Sequence, residues 1–402
     1  LIYIFVFELI MLSLSTRINN LYLLREAYEY GKYAFEHEGY PYLYMDMDCF
    51  KIALIKECCG KYMSQPIDMI TNDEINRFID DYIILIMILG NDFMPKIPWM
   101  SISQDSHELL LDIYFQVQNG TDYSLNDDDR WLFNRSRDEF NISMLKKIFS
   151  LLSKKEFSLM AKFLDKRKET KIYFPKGATK REKQQILIDF LPLTHESWMA
   201  AEQEINPYKK GWRIRYYSLC HRINTYNNHE EVIKICETYI KTLIWNASYY
   251  LNGCKCWRWY YNYNYPPTLA DVFNYLESYK SLNHLKFASS TPSNPQTVLL
   301  MVLPDVSASK FCAKSVYTYI KSQPHLDKLY FPTTYPINIP LHTRYYECTP
   351  IIPKLNIESA EKIISSSKLT KEEITRNTVD KVKHYPIFTT GKAIHIDFQK
   401  LF

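Results

Sequence analysis

Between Phe78 and Leu89 the chain is apolar nearly all round, reading Tyr82-Ile83-Ile84-Leu85-Ile86-Met87-Ile88-Leu89. A helix that is apolar on every face is buried on every face, so this segment is expected to form a rod around which its neighbours pack. Thr71, followed three residues on by Glu74, has the spacing of a capping box and marks where the helix begins. Gly90 supplies a residue able to end it in the left-handed conformation. Asp92 then stands just beyond the end of a buried helix, with Pro95 and Pro98 fixing the exit. A carboxylate driven into an interior is costly unless it meets a cation, a donor or a metal, which makes Asp92 the first candidate functional residue. The alternative is an Asp in a helix-terminating turn that hydrogen-bonds its own backbone.

Composition bounds what such a core can serve. The 402 residues leave room for two or three domains. Only 9 glycines occur, and no phosphate-loop or dinucleotide fingerprint appears. A net charge of +4 tolerates a polyanionic partner without demanding one, so any nucleic-acid surface has to be local. The 9 cysteines have no zinc-ligand spacing; an odd number without a secretory signal argues for reduced thiols in the cytoplasm or nucleus. The apolar opening Leu1 to Phe7 lacks a basic flank and is interrupted by Glu8 well before the ~20 residues that span a bilayer, so no membrane is implied.

Taken in order, Ile2 to Phe7 has the β-branched and aromatic content of a central strand. Glu8 follows it, at the strand end where open α/β sheets place their chemistry. The competing reading of Glu8 is an acid in a first helical turn. Leu21 to Glu26 and Tyr42 to Asp48 read as further strands, with a helix from Phe50 to Cys58; Asp46 and Asp48, alternate residues on one strand face, are open to a metal-site or a surface-acid reading. From Ser103 the apolar spacing becomes helical. Lys162 to Lys183 is rich in Lys and Arg, with Asp165, Glu169 and Glu182 as its acids; it is read as a solvated loop, with RNA phosphates the alternative partner. Gly211-Trp212-Arg213-Ile214-Arg215-Tyr216-Tyr217 is read as a helix anchor rather than a base-stacking surface. The dense cluster Trp257-Arg258-Trp259-Tyr260-Tyr261-Asn262-Tyr263-Asn264-Tyr265 suits either a stacking platform for single-stranded nucleic acid or an aromatic core corner.

Several of these blocks carry a resemblance. Ile79-Asp80-Asp81-Tyr82 followed by Leu89-Gly90-Asn91-Asp92-Phe93-Met94-Pro95-Lys96-Ile97-Pro98 resembles the Ile-Asp-Asp … Gly-Asn-Asp-Phe-Leu-Pro segment of the XRN-type 5′→3′ exoribonucleases. The Gly-Trp-Lys-x-Arg-Tyr-Tyr and Trp-x-Trp-Tyr-Tyr-Pro-x-His-Tyr-Ala-Pro signatures of that family are similar to Gly211–Tyr217 and Trp257–Pro267. The resemblance runs from about Ile2 to about Ile364. It implies that Asp92 is a ligand of the catalytic metals, Mg²⁺ or Mn²⁺. At the family's Ile-Tyr-Gly-Leu-Asp-Ala-Asp run this sequence has Ile2-Tyr3-Ile4-Phe5-Val6-Phe7-Glu8. Glu8 thus keeps one metal-binding carboxylate, while Val6 replaces the other with a group that cannot ligate. Trp259, with Trp257 second, is implied to stack on the 5′-terminal nucleotide. Asp80 and Asp81, with Asp81 roughly 16 Å back along the helix axis from Asp92, are expected to partner backbone or basic side chains instead.

The fold expected on this basis is α/β. Residues 1–100 would be the carboxy-terminal part of a flap-nuclease or PIN-like core and 101–364 a helical domain holding the basic loop 162–183 and the aromatic block 245–267. Residues 365–402 would be a peripheral helix and tail. The implied activity is degradation of 5′-monophosphorylated single-stranded RNA by two-metal hydrolysis. The family's upstream acids do not precede Leu1, so a partial chain is expected, completed in cis or by an amino-terminal companion polypeptide. The alternative is a catalytically inactive relative that binds RNA or protein.

Overall fold

A computed structural model describes residues 7–26, 28–29, 32–33, 42–62, 67–120, 130–225 and 228–378. Among them the chain is mainly helical, with short strands only. The amino-terminal third holds α1 (Phe7–Ser15), β1 (Tyr22–Glu26), β2 (Tyr28–Glu29), β3 (Lys32–Tyr33), β4 (Tyr42–Asp46), α2 (Met47–Tyr62) and α3 (Asn72–Met87). It continues through α4 (Ser106–Asn119), the hairpin β5 (Phe133–Asn134) and β6 (Glu139–Phe140), and the long α5 (Ile142–Glu169). Next come α6 (Lys180–Asp189), α7 (Leu191–Thr194), α8 (Glu196–Gln203), α9 (Trp212–His221), α10 (His229–Leu251) and α11 (Leu269–Glu277). The remainder is α12 (Pro295–Val302), α13 (Asp305–Phe311), α14 (Lys314–Ser322), α15 (Pro324–Tyr330), β7 (Ile337–Asn338), β8 (Thr349–Pro350), α16 (Ile357–Ser366) and α17 (Lys371–Arg376).

The strands pair as separate antiparallel couples, β1 with β4 in the register Tyr22 to Asp46 and Leu24 to Tyr44. Residues 2–6, read as a central strand, and with them Val6, lie outside the described residues. Phe7 opens a helix, so Glu8 sits in its first turn. The reason is local: an acid there meets the unpaired N–H groups and positive end of the helix dipole. Asp46 plays a similar part, its Oδ1 accepting from the amides of Asp48 and Cys49 at the start of α2.

The described residues fall into two compact units, Leu1–Thr291 with Pro336–Ile351, and Pro292–Tyr335 with Ile352–Phe402. In the first, α3 is the central rod, packed by α1, α4 and α10, while α5 packs on α4 and α11. The capping box of Thr71 and Glu74 is formed as its spacing predicts. Ile83, Ile84 and Leu85 are wholly shielded from solvent, and full burial of such side chains contributes roughly 2 kcal/mol each. This core extends without a break across position 100, from Met11 and Leu23 through α3 to Tyr114, Phe149 and Leu243. The second unit closes over its own core of Leu300, Ala308, Val316, Ile320, Tyr330 and Ile364. Among the described residues no helix is long and apolar enough to cross a membrane.

Asp80 and Asp81 serve the rod as expected. Asp80 bonds Arg17 at 2.6 Å and Arg135 at 3.1 Å, and Arg135 also donates to the Ser15 carbonyl, which ties the end of α1 to α3. Asp81 accepts from the backbone amides of Leu132 and Phe133 and from the Tyr114 hydroxyl. The stretch 162–183 is not one loop: it comprises the end of α5, a connection, and the start of α6. Arg167 within it is buried, because α8 presents Glu202 to it.

Candidate active site

The site begins at the end of α3. Gly90, at φ 105°, turns the chain back so that its Cα comes close to Lys96. Asn91, rather than Asp92, then holds the turn together. Its amide donates to the Met94 carbonyl, and its Oδ1 accepts from the amides of Phe93 and Met94 at 3.0 and 2.9 Å. The Asn246 amide of α10 donates to the same oxygen at 3.2 Å. Asp92 is left exposed at the surface. The expectation of a carboxylate driven into the interior is therefore corrected: the inward place after Gly90 is taken by a neutral amide, which can be both donor and acceptor there without a charge to desolvate.

The charges of Glu8 and Asp92 both reach the Tyr250 hydroxyl. Burial raises the pKa of Tyr250 on α10; the charges of Glu8 and Asp92 raise it further, and a hydrogen bond with Asn91 opposes them. The elements that carry them pack on one helix: α1 and α3 both lie against α10, which bears Tyr250. Nothing in the spacing of these residues announces this. The available signal was Asn246, a polar side chain in the apolar run of α10, one turn before Tyr250. Beside Asp92, Phe93 contacts Trp245 and Tyr249 edge-on at 5.1 Å, and those two rings stack at 5.2 Å.

Glu8 and Asp92 offer the chemistry of one side of a divalent-cation site, two carboxylates on elements packed against the same helix. Carboxylate oxygens are the ligand class Mg²⁺ takes, usually one or two from protein with water and phosphate completing the shell. Among the described residues no group of three or more His, Cys, Asp or Glu side chains gathers as a metal cage.

The two tryptophans lie elsewhere along α10. Trp259 donates from Nε1 to the Thr242 hydroxyl at 3.1 Å, eight residues or about 12 Å along the helix from Tyr250. The Lys241 ammonium sits over its ring at 4.6 Å, and Phe287 meets it edge-on at 5.5 Å. Trp257 is the more available surface, 52% exposed, with its backbone amide fixed on the Ser290 hydroxyl. Much of the rest of the aromatic block is core: Tyr265 is buried and donates to the Pro340 carbonyl, and Tyr261 donates to the Tyr265 carbonyl.

The Gly211–Tyr217 block is an anchor, as read from its residues. Tyr216 and Tyr217 are buried, and Arg215 is wrapped by the carbonyls of residues 204–206, 209 and 210. A residue that sequence reasoning missed is Asp138. In the left-handed conformation at the β5–β6 turn, it accepts from Ser248, Asn252 and Lys255 near the end of α10.

This helical architecture is matched by the family model described as the Xrn1 helical domain, over residues 72–190 and 193–396, and the chain belongs to the XRN family. Among its relatives, human 5′-3′ exoribonuclease 1 is 24% identical over an alignment covering 92% of this chain and 23% of that protein. The 5′-3′ exoribonuclease 1 of Saccharomyces cerevisiae is 22% identical, covering 93% of this chain and 31% of that protein. That of Schizosaccharomyces pombe is likewise 22% identical, over 92% of this chain and 34% of the relative. The chain therefore spans about a quarter to a third of the length of these relatives.

Proposed function

We propose that this chain is part of a 5′→3′ exoribonuclease that degrades single-stranded RNA bearing a 5′ monophosphate. The observation that carries the reading is the match to the Xrn1 helical domain over residues 72–190 and 193–396, with Glu8 and Asp92 both acting electrostatically on Tyr250 of α10. In this reading Glu8 and Asp92 hold Mg²⁺ or Mn²⁺. The bound metal would supply activation of water and stabilisation of the leaving oxygen in two-metal hydrolysis. Tyr250 and Asn91 orient the two carboxylates, and Asn246 holds Asn91. Trp257 and Trp259 stack on bases of the strand and fix its register. Residues 1–100 would supply the carboxy-terminal part of a PIN-like α/β core, 101–364 the helical domain, and 365–402 a peripheral helix and tail. Further metal-binding acids would come from an amino-terminal segment or companion polypeptide. The protein would act in the cytoplasm or nucleus.

A second reading is favoured by Val6, which stands where the resembling family has a metal-binding Asp. In it the chain binds RNA or a protein without cutting.

The test is incubation of 5′-monophosphorylated single-stranded RNA with the chain and Mg²⁺, beside Asp92→Ala, Glu8→Gln and a 5′-triphosphorylated substrate. Degradation that requires the monophosphate and is lost in both variants supports the first reading. RNA binding without degradation at any Mg²⁺ or Mn²⁺ concentration supports the second.

A further inference from the structure

The segment 280–289 runs beside α10 and the β5–β6 hairpin, and together they line a cleft of about 860 Å³ in the first unit. Its floor is apolar, with Ile244, Phe140 and Leu285. Its walls carry Arg137, Lys255, Lys280 and Lys286 against two acids, Asp138 and Glu139. Asp138 is already neutralised by Lys255, whose ammonium lies 2.6 Å from its carboxylate, and it also accepts from Ser248 and Asn252. Lys280 and Lys286 then outnumber the remaining acid, Glu139. This local excess is what a chain of modest overall charge needs if it is to hold a polyanion.

Phe287 joins the cleft to the tryptophans. It lines the cleft and meets Trp259 edge-on at 5.5 Å, with the Lys241 and Lys255 ammonium groups 5.2 and 5.9 Å from its ring centroid. Lysines spaced around an aromatic ring make a surface on which a phosphodiester backbone and its bases are both accommodated. Flexible ammonium groups position phosphates without reading sequence, as a strand that slides requires.

We propose that this cleft holds the sugar-phosphate backbone of single-stranded RNA beyond the nucleotides stacked at Trp257 and Trp259, with Lys280 and Lys286 as phosphate contacts. The proposal rests on the functional reading above. It commits the strand's path to the cleft between the segment 280–289, Ile244 of α10 and the β5–β6 hairpin.

The experiment measures binding of a labelled 5′-phosphorylated oligoribonucleotide to the full chain in EDTA, across a series of salt concentrations. It compares the parent with Lys280→Ala/Lys286→Ala and with Trp257→Ala. Both lysines are exposed, so truncating them leaves the core intact. The double variant should bind more weakly at low salt, and its slope of log affinity against log salt should fall by about 1.4, at ~0.7 per lost phosphate contact. Trp257→Ala should weaken binding while keeping the parent's slope. If the parent binds RNA and the lysine variant matches it in affinity and slope, the cleft proposal fails and the functional reading stands. If the parent binds no RNA, both fail. Displacement of RNA by polyglutamate at equal charge would assign the cleft to an acidic protein segment and overturn the proposal.

Discussion

Arg167 of α5 and Glu202 of α8 are joined by two parallel hydrogen bonds, Nε to Oε2 and Nη2 to Oε1, each 2.8 Å, with both side chains sealed from solvent. The pair reaches outward as well. Arg167 donates to the His342 carbonyl at 2.9 Å, and Glu202 accepts from the Leu341 amide at 2.6 Å. Two helices and the 341–342 backbone are thereby fixed at one point. Removing one partner strands the other charge in the interior, so Glu202→Ala should lower unfolding stability by about 3–5 kcal/mol. Replacing both by apolar residues of similar volume should cost much less. Urea denaturation of the single and double variants reads the difference.

Stability should fall as pH rises from about 6.5 to 8, above the range in which the buried His221 and His342, pushed down to about 4 by desolvation, contribute an opposite gain. Burial pushes the Glu156 carboxyl from an ordinary 4.5 up to about 7, against the opposing amides of Leu269 and Ala270 and the charge of Arg213. Burial pushes Asp81 from 3.8 up to about 8, against its bonds from Leu132, Phe133 and Tyr114. Both groups bind their proton more tightly folded than unfolded. Their contribution is complete below the unfolded values and is lost as pH rises through 7 for Glu156 and 8 for Asp81. Glu156→Gln keeps an acceptor for the Leu269 amide and removes one titration. Thermal unfolding across this range should then show a shallower decline than in the parent.

Gly90→Ala should be strongly destabilising. A Cβ there would lie 2.5 Å from Lys96 Cα and 2.8 Å from Lys96 N, at a φ of 105° that side chains rarely adopt. The backbone strain alone costs about 1–2 kcal/mol, and the collision with backbone adds to it. Because the same turn carries Asn91 and Asp92, the variant should lose several degrees of melting temperature and, on the proposed function, metal-dependent RNA degradation as well. Calorimetry and the degradation assay check the two effects separately.

Trp257→Ala should weaken binding of single-stranded RNA by roughly 5- to 100-fold, the range expected for losing one base–aromatic stack. Trp257→Phe should recover much of it. Trp259→Ala should act differently, since its indole is also a donor to Thr242 and packs on Phe287. It should lower the melting temperature together with RNA affinity. Fluorescence anisotropy beside thermal unfolding distinguishes the two tryptophans.

Much of the scaffold was legible in the chain. The all-round apolar run up to Leu89 could only be a central helix, and Thr71 with Glu74 marked its start. The partners of Asp80 and Asp81 were foreseeable in kind, because acids near the start of a buried rod must find donors. The anchoring role of Tyr216 and Tyr217 followed from their company. The candidate site was less legible. Asp92 could be named but not its exposure, since the competition between Asn91 and Asp92 for the inward place is settled by what α10 offers, and α10 offers Asn246.

The sequence by itself determined the local order: where the core helix begins and ends, which acids cannot share a site with Asp92, and which segments are rich in aromatic or basic groups. Those properties depend on neighbours within a few turns, where spacing fixes which side chains meet. Only the tertiary structure decided that Glu8 and Asp92 both act on Tyr250 of α10, that Arg167 leaves the basic run to meet Glu202, and that Asp138 cancels Lys255 beside Lys280 and Lys286. Each of these joins residues tens to hundreds of positions apart. Their energy comes from desolvation and charge pairing, which exist only after the apolar core has brought the helices together.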